Sequence, residues 1–129
     1  MAGKYPDEYV QFFEKFNLGE YYECHDLLEE IWMTDKQNKF LQGMLQTAVG
    51  IYHFENGNID GSRKLFHSAY RYLQPYRPKY WDLDLEPVIT FIEKALSVLP
   101  PENRISLEEV KKIAFPQIRL HLEEENHII

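Results

Sequence analysis

A run of fifteen residues without a charged side chain constrains the fold of this chain most. It extends from Phe40 to Phe54, in a protein of 129 residues of which 27% are charged. On a helical wheel the large apolar side chains cover about half the circumference, and Gly43, Thr47 and Gly50 form a stripe of small residues. A helix that is apolar on nearly every side belongs in a protein interior, where small residues let a neighbouring helix approach closely. The run therefore predicts a buried central helix.

Apolar spacing and helix caps predict further helices on both sides of the central one. The predicted elements are a helical hairpin over residues 5–34, a second hairpin over 36–73 that contains the buried helix, a closing helix over 84–99, and a short helix with a tail over 106–129. Pro75 and Pro78 predict a rigid extended connection before the closing helix. Ser106 and Glu109 predict a capping box at the start of the short helix. We expect residues 1–129 to form a single all-α domain, a helical bundle.

The two predicted hairpins repeat each other. When the segment from Phe16 to Gly19 is laid on the segment from Phe54 to Gly57, both halves read as helix, glycine turn and helix. The apolar positions beyond the turn stay in register. The pattern is similar to that of tetratricopeptide units, although two units are fewer than a helical solenoid normally needs. We expect two stacked antiparallel tetratricopeptide-like hairpins, completed by the closing helix.

Charge and cysteine content narrow the classes of partner. The chain has 14 basic and 21 acidic residues, a formal net charge of −7, which argues against nucleic acid and against an anionic membrane surface as partners. The first residues lack the apolar segment of a signal peptide, and the uncharged run is too short and too polar to span a bilayer. Cys24 is the single cysteine and has no internal disulfide partner, which is typical of a reducing compartment. We expect a cytoplasmic protein.

The tail leaves the oligomeric state open. It carries four large apolar side chains, Leu120, Leu122, Ile128 and Ile129, among polar residues. These side chains predict docking of the tail either on the bundle or on a second subunit. A monomer and a homodimer therefore both agree with the sequence.

The second predicted helix carries a candidate site. His25 and Glu29 are four residues apart and share a helix face, with Trp32 beside them at the edge of the apolar stripe. An imidazole beside a carboxylate is found in catalytic and metal-binding sites. It is also explained by a Glu29 that merely orients His25, or by two side chains that face water. Asp26 is expected to point away from this face as a surface charge.

The central helix adds Gln42, Gln46 and His53, which project along one line of an otherwise apolar helix. Buried amide and imidazole groups cost about 1–3 kcal/mol each when unpaired, so partners are expected, and His25 and Glu29 on the neighbouring helix are the nearest candidates. If the two sets face each other, they form a structural polar network, a small-ligand pocket, or a metal site in which His25, Glu29 and His53 bind zinc, iron or manganese. No cofactor is predicted, and the HExxH spacing of many zinc enzymes is absent.

A family resemblance lies in two runs, FNLGEYYECHDLLEEIW and FLQGMLQTAVGIYHFENGNIDGSRKLF. They resemble the bacterial and archaeal helical proteins grouped as domain-of-unknown-function family 309, with Asp26 standing where the family usually has Glu. The family pattern maps onto Phe16, Asn17, Gly19, Tyr21, Tyr22, His25, Leu28, Glu29, Trp32, Gln42, Gly43, Gln46, Tyr52, His53, Gly57, Asn58 and Gly61. The resemblance implies a compact all-helical bundle and brings no established activity.

Two classes of function follow from the candidate polar set, which consists of His25, Glu29, Trp32, Gln42, Gln46, His53 and Asn58. The first is a non-enzymatic binding or scaffold module that receives a small ligand or a peptide, since repeated hairpins bury one face and present another. The second is a metal-dependent hydrolase-like enzyme in which His25, Glu29 and His53 act, with Glu29 as ligand or general base. An open cleft favours a ligand or a substrate, and a sealed, fully hydrogen-bonded cluster favours a structural role.

Overall fold

The computed structural model describes residues 5–123, most of which lie in helices. The helices are α1 (Asp7–Asn17), α2 (Tyr21–Thr34), α3 (Lys39–Glu55), α4 (Ile59–Leu73), α5 (Glu86–Val98) and α6 (Leu107–Lys112). A 3₁₀ turn at Gln74–Tyr76 follows α4, and two short strands, β1 (Lys79–Tyr80) and β2 (Leu83–Asp84), pair in an antiparallel ladder. Apart from this hairpin and an isolated antiparallel bridge between Asn58 and Arg104, the regular structure of the described chain is helical, in broad agreement with the all-α prediction.

The uncharged segment forms α3, and α3 lies between α2 and α4. A Cβ atom on Gly43 would lie 2.7 Å from Leu73 Cδ2, and one on Gly50 would lie 2.9 Å from Phe66 Cε1. The stripe of small residues therefore faces α4 and lets the two helices approach closely, as the sequence predicts. The start of α3 was predicted too early, because the Asn38 side chain accepts a hydrogen bond of 3.1 Å from the Leu41 amide and caps the helix at Lys39.

The internal repeat is present at the level of single hydrogen bonds. Gly19 and Gly57 both adopt left-handed conformations, with φ of 81° and 76°. The amide of Gly19 donates to the Phe16 carbonyl at 3.0 Å, and that of Gly57 donates to the equivalent Phe54 carbonyl at 2.9 Å. A contact between the two helices of each hairpin repeats as well.

The repeated interhelical bond involves a buried side chain and a backbone carbonyl. In the first hairpin the Cys24 thiol lies 3.8 Å from the Phe12 carbonyl oxygen, which it contacts as a weak donor. In the second, the Ser62 hydroxyl donates to the Gly50 carbonyl at 2.9 Å. These are equivalent positions of the two repeats. Each hairpin therefore closes with the same contact between its two helices.

The connection after α4 is not the extended segment predicted from its prolines. After the 3₁₀ turn and a cis Arg77–Pro78 bond, the chain forms the β1–β2 hairpin, whose turn residues Trp81 and Asp82 have φ of 47° and 62°. Such turns usually hold Asn and Gly, so no local sequence signal predicts a turn at Trp81 and Asp82. Aromatic packing stabilises the turn instead, because the Trp81 ring lies 5.1 Å from the Tyr9 ring and 5.9 Å from the Phe40 ring.

The described part of the tail docks on the bundle. Leu120 and Leu122 are buried in the core. The Asn17 side chain holds this segment from both sides, since its amide donates to the Leu120 carbonyl at 2.9 Å and its oxygen accepts from the Leu120 amide at 2.8 Å. Docking of the tail on the bundle, one of the two predicted modes, therefore applies to Leu120 and Leu122. Ile128 and Ile129 lie outside the described residues.

The Ser106 capping box is also confirmed, with Glu109 N–H bound to the Ser106 hydroxyl at 3.2 Å. The closing helix begins at Glu86, two residues later than predicted, and Asp84 accepts a hydrogen bond of 3.0 Å from the Glu86 amide. Within residues 5–123, no helix combines the length and the apolarity that crossing a membrane requires.

The two repeated glycines offer a matched test of the fold. A Cβ at Gly19 meets open space, so Gly19→Ala should lower the free energy of unfolding by about 1–2 kcal/mol, the cost of a left-handed non-glycine residue. A Cβ at Gly57 collides with the Ile105 carbonyl oxygen, so Gly57→Ala should cost about 1–3 kcal/mol more. Urea denaturation of both variants measures the difference. Equal losses would contradict the close approach of residue 105 to this turn.

Candidate functional site

The outer side of the α2–α3 pair carries most of the predicted site residues. The two helices run antiparallel, and the Tyr22 and Tyr52 rings meet at 5.4 Å between their centroids. With a rise of about 1.5 Å per residue, His25 then lies near the level of Val49, and Glu29 near that of Leu45. We call this surface the α2–α3 face. It comprises Tyr22, His25, Glu29, Trp32, Gln42, Gln46 and Tyr52.

A cluster of possible metal ligands lies on this face. His25 Nε2 is 3.9 Å from a Glu29 carboxylate oxygen, and His25 Nδ1 is 3.6 Å from Asp26 Oδ1. One ligand atom from each of the three residues lies within 4.8 Å of the other two. The side chains are 37%, 49% and 74% exposed for His25, Glu29 and Asp26. The cluster is therefore open to water, and both contacts are longer than hydrogen bonds.

Asp26 corrects the helical-wheel argument. The wheel directs its Cα–Cβ bond away from His25, as expected for adjacent residues. Its short side chain nevertheless brings a carboxylate oxygen to 3.6 Å from His25 Nδ1. Asp26 is an exposed surface charge, as predicted, and it also belongs to the cluster.

Two polar atoms of the α2–α3 face are buried without a partner. Within residues 5–123, neither Trp32 Nε1 nor Gln46 Oε1 finds a hydrogen-bonding group. The first is a donor and the second an acceptor. Gln42, one turn before Gln46, accepts only a long contact of 3.5 Å from Lys39. The amides of α3 therefore do not pair with a described residue of α2.

His53 has a different environment, at the end of α3. Asn58 caps α4 by accepting a hydrogen bond of 3.0 Å from the Gly61 amide through its oxygen. Its Nδ2 atom consequently faces His53 Nδ1 at 3.2 Å, so that His53 must accept there in its neutral form. Burial, with the positive charge of Arg104 as a second cause, lowers the pKa of His53. Within the described residues His53 belongs to no cluster of metal ligands.

Cys24 behaves as a structural thiol. It is fully buried in the core, and burial raises its pKa to about 12. A thiol that is protonated at neutral pH is a poor nucleophile and a poor metal ligand. The cysteine next to His25 in the sequence therefore takes no part in the candidate site.

Comparison with known proteins finds a family match over part of the chain. Residues 9–65 match the family described as a domain of unknown function, DUF309. The matched segment covers less than half of the chain. It contains α2 and α3 with the whole α2–α3 face, so the resemblance stated from the sequence motifs is confirmed over that part of the chain.

Two similar proteins match a larger part of the chain. The uncharacterised protein YpuF of Bacillus subtilis (strain 168) is 34% identical over 86 residues, which cover 64% of this chain and 49% of YpuF. An uncharacterised protein of Aquifex aeolicus (strain VF5) is 21% identical over 100 residues, which cover 72% of this chain and 30% of that protein. The chain thus spans about half the length of the first relative and less than a third of the second.

Several DUF309 motif residues have a structural role. Gly19 and Gly57 form the repeated turns, and Asn17 holds the tail. Asn58 caps α4 over Gly61, where a Cβ would lie only 2.6 Å from Asn58 Nδ2. The polar motif residues that remain without such a role are the ones on the α2–α3 face: His25, Glu29, Trp32, Gln42 and Gln46.

The neutral state of His53 predicts a pH dependence. Folding lowers the pKa of His53 below about 6.5, the ordinary histidine value. As the pH drops, the unfolded chain therefore binds the proton before the folded protein does, and the free energy of unfolding falls. We expect the free energy of unfolding of the wild type to fall more steeply than that of His53→Gln between about pH 7 and about pH 5. Urea denaturation across this range measures it, with exposed His67→Gln as control. Parallel curves for wild type and His53→Gln would contradict the assignment.

Proposed function

We propose that the protein is a non-enzymatic binding module whose α2–α3 face receives a peptide or a small ligand that carries an amide. The observation that supports this most is the pair of buried atoms without partners, the Trp32 Nε1 donor and the Gln46 Oε1 acceptor. An amide supplies both complementary groups, an oxygen that accepts and an N–H that donates. The net charge of −7 also favours such a ligand over nucleic acid.

The finer architecture belongs to the same proposal. We propose that the two hairpins stack as tetratricopeptide-like units. The repeated glycine turns and the repeated interhelical contacts of Cys24 and Ser62 support it. In such an arrangement two helices of successive hairpins present a shared surface to a ligand. Here the exposed aromatic Tyr22 at one end of the α2–α3 face offers an anchor for an apolar group.

A purely structural role for these polar residues has weaker support. A structural network lowers the free energy only if its members are hydrogen-bonded, since each buried polar group left unpaired costs about 1–3 kcal/mol. The His25–Glu29 contact of 3.9 Å is too long to be a hydrogen bond, and the two buried atoms have no described partner. Residues that lower stability in this way are typical of binding surfaces.

Stability measurements separate binding from structure. If Gln46 acts on a ligand, Gln46→Leu removes an unpaired polar atom at nearly constant side-chain volume and should leave the free energy of unfolding unchanged or raise it. The control is Ser62→Ala, which deletes a buried side chain with a 2.9 Å bond and should cost about 1 kcal/mol. A loss of about 1 kcal/mol or more in Gln46→Leu would contradict the proposal.

A binding measurement can use N-methylacetamide as the probe. The chain has two tryptophans, so the indole N–H resonance of Trp81 serves as an internal reference for that of Trp32. Titration should shift the Trp32 resonance selectively, and Gln46→Leu should reduce that shift. Equal small shifts of both resonances would indicate a solvent effect and would count against an amide site.

A second candidate function rests on the cluster of His25, Asp26 and Glu29. Its three ligand atoms within 4.8 Å are of the kinds that bind zinc, iron or manganese. Three protein ligands leave a coordination position for water, which is the arrangement of hydrolytic metal sites. We propose a metal-dependent hydrolase-like activity as the alternative to the binding module, with Asp26 in the place that the sequence suggested for His53.

Elemental analysis of untagged protein purified without chelator tests this alternative. A metal site predicts one equivalent of zinc, iron or manganese, which His25→Ala should abolish and which His53→Ala should leave in place, because His53 lies outside the cluster. His67→Ala is the matched control for loss of an exposed histidine. Protein without stoichiometric metal after incubation with each ion and desalting would exclude the alternative.

A further inference from the structure

A cavity of about 620 Å³ lies on another side of the bundle from the His25 cluster. It opens where the α1–α2 turn, the end of α3, and residues 115–119 come together. Five aromatic side chains line it: Phe16, Tyr21, Phe54, Phe91 and Phe115. Its volume is in the range of small-molecule sites, which are mostly apolar with few polar groups.

The aromatic walls are fixed by contacts among themselves. Phe54 and Phe115 stack with 4.0 Å between their ring centroids and 12° between their planes. Phe91 meets Phe115 edge-on at 5.9 Å, and Phe16 meets Tyr21 edge-on at 5.2 Å. Because every wall ring has a partner, the walls are held in place before any ligand binds.

Glu55 places a negative charge at this cavity. It is the last residue of α3, where the helix dipole is also negative. Its carboxylate forms neither a hydrogen bond nor an ion pair with any residue between 5 and 123 for which contacts are described. Glu55 is an exposed residue, and the partial burial of its carboxylate raises its pKa. The site thus combines an uncompensated carboxylate with several aromatic rings.

We propose that this cavity binds an organic ammonium ion with an apolar body, with Glu55 as its counter-ion. Aromatic faces attract cations, and a carboxylate at a helix C-terminus adds to that attraction. Arg119 also lines the cavity. Glu55 and Arg119 are both exposed residues. The longer Arg119 side chain can swing its guanidinium away from the cavity, whereas the shorter Glu55 side chain keeps its carboxylate near the end of α3. This site is separate from the α2–α3 face and does not depend on the function proposed for it.

Three probes of similar size and different charge test whether the cavity prefers a cation, a neutral molecule or an anion. They are benzyltrimethylammonium, benzyl alcohol and phenylacetate, titrated into the full chain by calorimetry and by amide chemical shifts. We expect the ammonium ion to bind about tenfold more tightly than benzyl alcohol, and phenylacetate to bind least. Shifts should concentrate at the lining residues. Equal affinities for the three probes, or no binding of the ammonium ion, would overturn the proposal.

Substitutions test whether Glu55 supplies the negative charge that binds the ammonium ion. Glu55→Gln should weaken benzyltrimethylammonium binding about tenfold, whereas Arg119→Gln should leave it unchanged or strengthen it. Glu14→Gln, an exposed carboxylate on α1 outside the cavity, is the control for general loss of negative charge. Thermal unfolding confirms that each variant is folded. Unchanged binding by Glu55→Gln, or tighter phenylacetate binding that Arg119→Gln abolishes, would show that the site takes an anion or none.

Discussion

The close approach of α3 and α4 is the contact on which the arrangement of the bundle depends. Leu73 and Phe66 of α4 lie so close to Gly43 and Gly50 that a Cβ at either glycine would collide with them. The same close approach lets the Ser62 hydroxyl donate to the Gly50 carbonyl. A larger side chain at either glycine would separate the helices and break that bond. With α4 on one side and α2 on the other, α3 presents outward a partly exposed strip that mixes Gln42, Gln46 and His53 with the apolar side chains Leu45, Val49 and Tyr52.

The parts of the fold that sequence reasoning predicted are those with local causes. The capping box, the two glycine turns and the period of α3 each depend on residues within one or two turns of each other. The β1–β2 hairpin has no such cause. Its turn at Trp81 and Asp82 is unfavourable locally and is held by rings of α1 and α3 that are distant in sequence. Its existence could be known only from the tertiary packing.

The same distinction applies to the sites. Helical periodicity aligned His25 with Glu29, which lie 3.9 Å apart in the structure, because it fixes the angle of a side chain about its helix. It does not fix how far two helices slide past each other. In the structure His53 lies at the α3–α4 turn with Asn58, away from the His25 cluster. The aromatic cavity at Glu55 is harder still to foresee, since its walls come from α1, α2, α3, α5 and the tail.

The division of the DUF309 motif residues into two sets gives the strongest reason to place function on the α2–α3 face. Asn17, Gly57 and Asn58 each satisfy a backbone group or permit a turn, and their presence needs no ligand to explain it. Trp32 and Gln46 do the opposite, since each leaves a buried polar atom unpaired at about 1–3 kcal/mol. Folded domains are stable by only about 5–15 kcal/mol. Two such costs on one surface are a substantial fraction of that margin, and the proposed ligand would recover whichever of them it pairs.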